Sequence, residues 1–130
     1  MKLKKLLFSL SLSAFIALSL SPVAKTFATD YASKSGSIDG SSYSLYLTGS
    51  TMALTGITAY ASNGVVRTVS IVAQYLNPDV TGTCVKSNGA VATSGAASAP
   101  IYVGGNSRFY QASTTHGIGS WSTSLSSSIY

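Results

Sequence analysis

The stretch Met52–Leu76, MALTGITAYASNGVVRTVSIVAQYL, limits what this chain can become more than any other segment. Two arms rich in β-branched and aromatic residues flank Asn63-Gly64. A residue pair that tolerates positive φ between alternating apolar arms is the strongest short-range hairpin signal. A two-residue turn there sets Tyr60 opposite Arg67, Thr58 opposite Val69, Gly56 opposite Ile71 and Leu54 opposite Ala73. The expected core face then carries Met52, Leu54, Tyr60, Val65, Val69, Ile71 and Tyr75. The opposite face mixes Thr55, Thr68, Ser70 and Gln74 with Ile57, Val66, Val72 and Leu76, a part-buried surface. Tyr60 facing Arg67 predicts a cross-strand cation–π contact, about 0.5–1 kcal/mol if exposed.

The first residues read as a targeting segment. Lys2, Lys4 and Lys5 precede the charge-free apolar run Leu6–Leu20, Pro22 breaks it, and Thr26-Phe27-Ala28 offers small residues before a cut after Ala28. This is the pattern of a secretory signal peptide over residues 1–28, with a single all-β secreted domain over 29–130. The run is too short and too Ser-rich for a membrane span, which takes about 20 apolar residues. No membrane span is therefore expected after its removal, and the expected location is extracellular.

Removing that segment changes the charge. Residues 29–130 keep Lys34, Arg67, Lys86 and Arg108 against Asp30, Asp39 and Asp79, a net charge of +1. Without a basic patch to neutralise phosphates, nucleic acid is not an expected partner, and neither is an anionic membrane surface. Glu is absent, Lys is scarce, and Val, Ile, Thr and Tyr are plentiful, a composition that favours strands over helices. Cys84 is the only cysteine, so an internal disulfide is impossible; a buried, inert thiol is the expected state.

Along the chain, Thr29–Ser37 reads as a loose polar arm and Asp39-Gly40 as a turn. Tyr43, Leu45 and Leu47 alternate with Ser42, Ser44, Tyr46 and Thr48 as a half-buried strand, and Asn77-Pro78-Asp79 is turn chemistry. A second Asn-Gly, Asn88-Gly89, predicts a short edge hairpin between Thr83–Ser87 and Ala90–Ser94. Gly95–Pro100 reads as a surface loop, Ile101–Val103 as a short strand, Gly104–Asn106 as a turn and Ser107–Ser113 as the returning strand. After a loop at Thr115–Gly119, the last segment has the cleanest pattern. Trp121, Thr123, Leu125, Ser127 and Ile129 share one parity, and serines with Tyr130 occupy the other, as in a one-sided antiparallel strand. Together these signals predict an all-β fold: a small antiparallel β-sandwich, or partly open barrel, of about 7–9 short strands joined by hairpin turns.

Groupings that carry chemistry are sparse. His116 is the only histidine, and no G-x-S-x-G elbow surrounds any serine, so no catalytic residue is assigned and the protein is read as no enzyme. One His, one Cys and three scattered Asp give no metal-ligand spacing, and no cofactor motif is present. Eight Tyr and one Trp are a heavy aromatic load for 102 residues. Tyr46 and Tyr130 have the parity that points away from the apolar face; with Trp121 they are the candidate binding residues, since exposed aromatics stack on sugars or anchor protein contacts. The Ser-rich faces are candidate hydroxyl arrays for ordered water, a glycan or a second sheet. The lysine-rich start and Ser/Tyr-rich strands have the look of small exported proteins of Gram-positive bacteria. The expected function is extracellular binding without catalysis, with a cell-wall polymer, glycan or surface protein as partner, and a monomer or weak self-association through an edge such as Ala90–Ser94. A secreted antimicrobial or toxin-like role is the alternative, and a small hydrolase or hydrolase inhibitor comes third.

Overall fold

The computed structural model describes residues 29–130, and the expected signal peptide lies outside them. Eight strands follow in order: β1 (Thr29–Ile38), β2 (Ser41–Gly49), β3 (Ala53–Tyr60), β4 (Arg67–Leu76), β5 (Cys84–Ala92), β6 (Ala96–Tyr102), β7 (Arg108–Ile118) and β8 (Trp121–Ser128). They form two antiparallel four-stranded sheets, β1-β2-β3-β6 and β5-β4-β7-β8, called A and B below. The sheets stack face to face, with β1 beside β8 at one side and β6 beside β5 at the other. This is a small β-sandwich, as the alternation predicts.

β2 and β4 turn inward the faces that their alternation marks, whereas Met52, expected in the core, lies exposed before β3, and Ile57 on the opposite face of β3 is buried. Tyr43, Leu45 and Leu47 of β2, Leu54 and Tyr60 of β3, and Val69 and Ile71 of β4 are buried. The larger apolar cluster joins Leu47, Leu54, Ile71, Ile101 and Phe109; a smaller one joins Tyr43, Leu45, Tyr60 and Ile118. Full burial of one such side chain stabilises the fold by about 1.5–3 kcal/mol.

Strand partners are another matter, and the expected central hairpin does not form. β3 lies in sheet A between β2 and β6, and β4 lies in sheet B between β5 and β7. The chain between Tyr60 and Arg67 crosses from one sheet to the other. Gly64 does take the left-handed φ of 84° that its pairing with Asn63 predicts, but inside a wider link. Arg67 is the reason. A two-residue turn would place it on the sheet beside Tyr60, whereas here the link wraps the guanidinium, which donates to the carbonyls of Tyr60, Ser62 and Val65 from within the fold. The cation–π contact with Tyr60 exists, 5.6 Å from carbon to ring centre, but it is buried and spans the two sheets.

Asn88-Gly89 is not a turn either. Cys84–Ala92 is one continuous edge strand, with Asn88 opposite Ile71 and Gly89 opposite Ser70. The Asn88 amide instead donates to the carbonyl of Pro100 at 2.9 Å, tying the edge of sheet B to that of sheet A. The expected loop Gly95–Pro100 is mostly strand β6, whose Ala97 and Ala99 are buried. Their small side chains hid the strand from a reading that looks for large apolar residues. β7 does not return beside β6 but pairs with β4 and β8, and it runs through Ile118, so the expected loop at Thr115–Gly119 is largely strand.

The loose N-terminal arm is edge strand β1. It carries an irregularity between Asp30 and Ala32, and Lys34 on its inward parity reaches the Trp121 ring at 5.8 Å. A bulge and an inward charge both discourage another chain from pairing with an edge. Asp39-Gly40 is the true two-residue hairpin turn: both residues are left-handed, at 50° and 79°, and Ile38 pairs with Ser41.

Candidate functional site

The interior holds two polar centres. At one end, Arg67 is fully buried, and its five N–H groups meet five carbonyls, those of Tyr60, Ser62, Val65, Thr93 and Gly95, at 2.7–3.2 Å. Burial pulls its pKa down and the Tyr60 side chain opposes that pull. An arginine without a carboxylate partner is tolerable inside a protein only when every donor is matched, as here.

The second centre is His116, also fully buried, near the C-terminal end of β7. Thr58 donates its hydroxyl hydrogen to the Thr68 carbonyl at 2.8 Å, so its oxygen accepts from His116 Nδ1–H at 2.7 Å. Nε2 then accepts from the Thr114 hydroxyl at 2.6 Å. That assignment fixes one neutral tautomer. Burial pushes the pKa down to about 4, against a smaller upward pull from the nearby Ile57 backbone. The imidazole has no exposed edge through which to meet a substrate. Cys84, half-buried on β5, pairs with Tyr75, whereas His116 pairs with Val69 six residues along the same strand, roughly 20 Å away. Thr58 and Thr114 are buried as well, so the group is a structural clamp joining β3 to β7. Among the described residues no three His, Cys, Asp or Glu side chains come together.

Accessible chemistry lies on the surface. The structure scatters Tyr46, Trp121 and Tyr130. Tyr46 is half-buried on the outer face of sheet A, beside Ile57. Trp121 opens β8, packed against Tyr43 with ring centres 4.9 Å apart and planes tilted by 46°. Tyr130 lies beyond the other end of β8, about 30 Å further along an extended chain, and is 83% exposed. It lines a hollow of about 440 Å³ with Leu76, Pro78, Val80, Asn106 and Arg108.

The larger feature, which single-residue parity could not show, is the outer face of sheet B. Its register aligns four rows across β5, β4, β7 and β8: Val85–Gln74–Gln111–Ser128, Ser87–Val72–Ser113–Ser126, Gly89–Ser70–Thr115–Ser124 and Val91–Thr68–Gly117–Ser122. None of these sixteen residues is charged, and thirteen of them are exposed. A shallow groove of about 190 Å³ runs between Val72, Gln74, Gln111, Ser113 and Ser126. The serines of β8 were legible as one solvated face; their three partner columns were not, because the pairing was read differently.

Comparison with known protein families, with curated proteins and with solved structures finds no match to this chain.

Proposed function

We propose that the protein is a secreted, non-enzymatic β-sandwich that binds a partner outside the cell, with a cell-wall polymer or glycan foremost. The observation that carries this reading is the uncharged outer face of sheet B, an ordered field of hydroxyls and amides on a rigid sheet. Side chains held on paired strands lose little freedom on binding, which favours recognition by many weak hydrogen bonds. The sealed, neutral His116 supports a role without catalysis, because a general base must reach the proton it takes. Tyr130, at the rim of the end hollow, offers an aromatic surface of the kind that stacks on sugar rings.

Co-sedimentation of the purified protein with Gram-positive cell walls tests the reading. Saturable pelleting, reversed by a soluble glycan, is the expected result. Absence of pelleting at any protein concentration contradicts it.

A further inference from the structure

We propose that the outer face of sheet B takes an uncharged, hydroxyl-rich polysaccharide, seated on the groove between Gln74 and Gln111. This rests on the binding role above and names its site and ligand class.

Charge comes first. An acidic polymer, such as a polyuronate or a phosphate-linked chain, would meet no Lys or Arg anywhere on the sixteen positions. Affinity for such chains comes mainly from neutralising their charges. A neutral chain has no such requirement.

Size and composition then separate a polysaccharide from a protein. Outermost Cα columns lie roughly 14 Å apart across the strands and about 20 Å apart along them, from the spacings of paired strands. The footprint of those four rows is smaller than the ~800 Å² per partner of a stable protein interface. Within the four rows Val72, Val85 and Val91 are the only apolar side chains, and no aromatic or Arg side chain supplies the anchor that concentrates protein-binding energy; the nearest, Arg108 and Tyr130, stand one row further on, at the end hollow. A second copy of this chain is disfavoured on the same grounds.

Chemistry favours sugar. Ser and Thr hydroxyls donate and accept, as sugar hydroxyls do, so neither partner is left with a mismatched group. Gln74 and Gln111 stand directly opposite each other on β4 and β7 and bring two amides to one spot. Val72, diagonal to Gln111, supplies an apolar patch for the C–H face of a pyranose. The groove thus combines hydrogen-bonding groups with a small apolar floor.

The test uses affinity electrophoresis and pelleting of the purified protein with neutral polymers (a glucan, a mannan and chitin) and with polygalacturonate as the acidic comparator. The double variant Gln111→Ala/Ser113→Ala alters two exposed residues of β7, and Tyr130→Ala alters the end hollow. Binding to at least one neutral polymer is expected, insensitive to salt, weakened about tenfold or more in the double variant through the loss of two or three hydrogen bonds, and retained in Tyr130→Ala. Preference for polygalacturonate, or binding that falls steeply with salt, overturns the proposal. Cell-wall pelleting that survives the double variant and disappears in Tyr130→Ala also overturns it, while leaving the binding role intact. Concentration-dependent mass in sedimentation equilibrium, abolished by Ser113→Arg, would assign the face to a second copy and overturn it too. Failure to pellet with cell walls or any polymer removes both readings.

Discussion

Polar side chains occupy two contrasting regions of this sandwich. Inside, Arg67, His116, Thr58 and Thr114 are fully or almost fully buried, and no buried side-chain nitrogen or oxygen among the described residues is without a partner. Outside, on sheet B, Ser, Thr and Gln recur at alternate positions on β4, β7 and β8, joined by Ser87 on β5, and most of them face solvent. The interior groups have committed their hydrogen-bonding capacity to the chain itself, so they hold the fold together. The outer groups leave theirs open to solvent. Polar residues therefore take opposite roles according to the face of the strand they occupy, and the single histidine, His116, and the buried Arg67 are closed off from solvent altogether.

If that division is real, interior substitutions should cost stability and outer ones should not. Arg67→Met should have the largest effect. It strips the partner from the carbonyls of Ser62 and Val65 and loosens the link between the sheets. At about 1–3 kcal/mol for each buried group left unmatched, a loss of about 3–5 kcal/mol is expected in urea denaturation. Arg67→Lys should recover part of it, because an ammonium has three donors and cannot span five carbonyls. A loss below about 1 kcal/mol in Arg67→Met would show that the guanidinium is not what closes this end.

His116 sharpens the comparison through pH. Its folded pKa of about 4 lies below the unfolded value near 6.5, so the unfolded chain binds more protons between those limits. Stability from this group is complete above pH 6.5 and is lost as pH falls toward 4, by about 3 kcal/mol. Thermal or urea unfolding across that window should show the slope, and His116→Gln should flatten it. An unchanged slope in the variant would mean that the neutral imidazole is not the source.

Gly56 tests how closely the two sheets approach. A Cβ there would sit 2.9 Å from methyl groups of both Thr114 and Val69. Gly56→Ala should therefore destabilise by about 1–3 kcal/mol through overpacking. A neutral result would point to slack between the sheets. The smallest effect belongs outside: Gln111→Ala/Ser113→Ala should shift stability by no more than about 0.5 kcal/mol.

What the sequence made legible follows the same division between face and partner. Alternation in Tyr43–Leu47, Val69–Ile71 and Trp121–Ile129 depends only on each strand's own period of two, so the buried faces and the all-β class could be read directly. Pairing depends on groups far apart in the chain. Asn63-Gly64 favours a reversal, yet the demand of a buried Arg67 for carbonyls from Thr93 and Gly95 as well as its own link draws β3 and β4 into different sheets. Asn88-Gly89 shows the same limit: its left-handed option goes unused because a continuous strand pairs with β4 and the Asn side chain finds Pro100. The outer face of sheet B suffered most from this. Tyr46 and Tyr130 could be named singly from parity, and Trp121 as a lone large aromatic, whereas the outer face of sheet B exists only once β5, β4, β7 and β8 are set side by side.

The most direct test measures stability and polymer binding on the same preparations of the parent protein and Gln111→Ala/Ser113→Ala. The account predicts coincident unfolding curves and at least a tenfold loss of affinity for a neutral polysaccharide. Unchanged affinity, or a loss of binding that merely tracks a loss of fold, would contradict the claim that this face is where the protein meets its ligand.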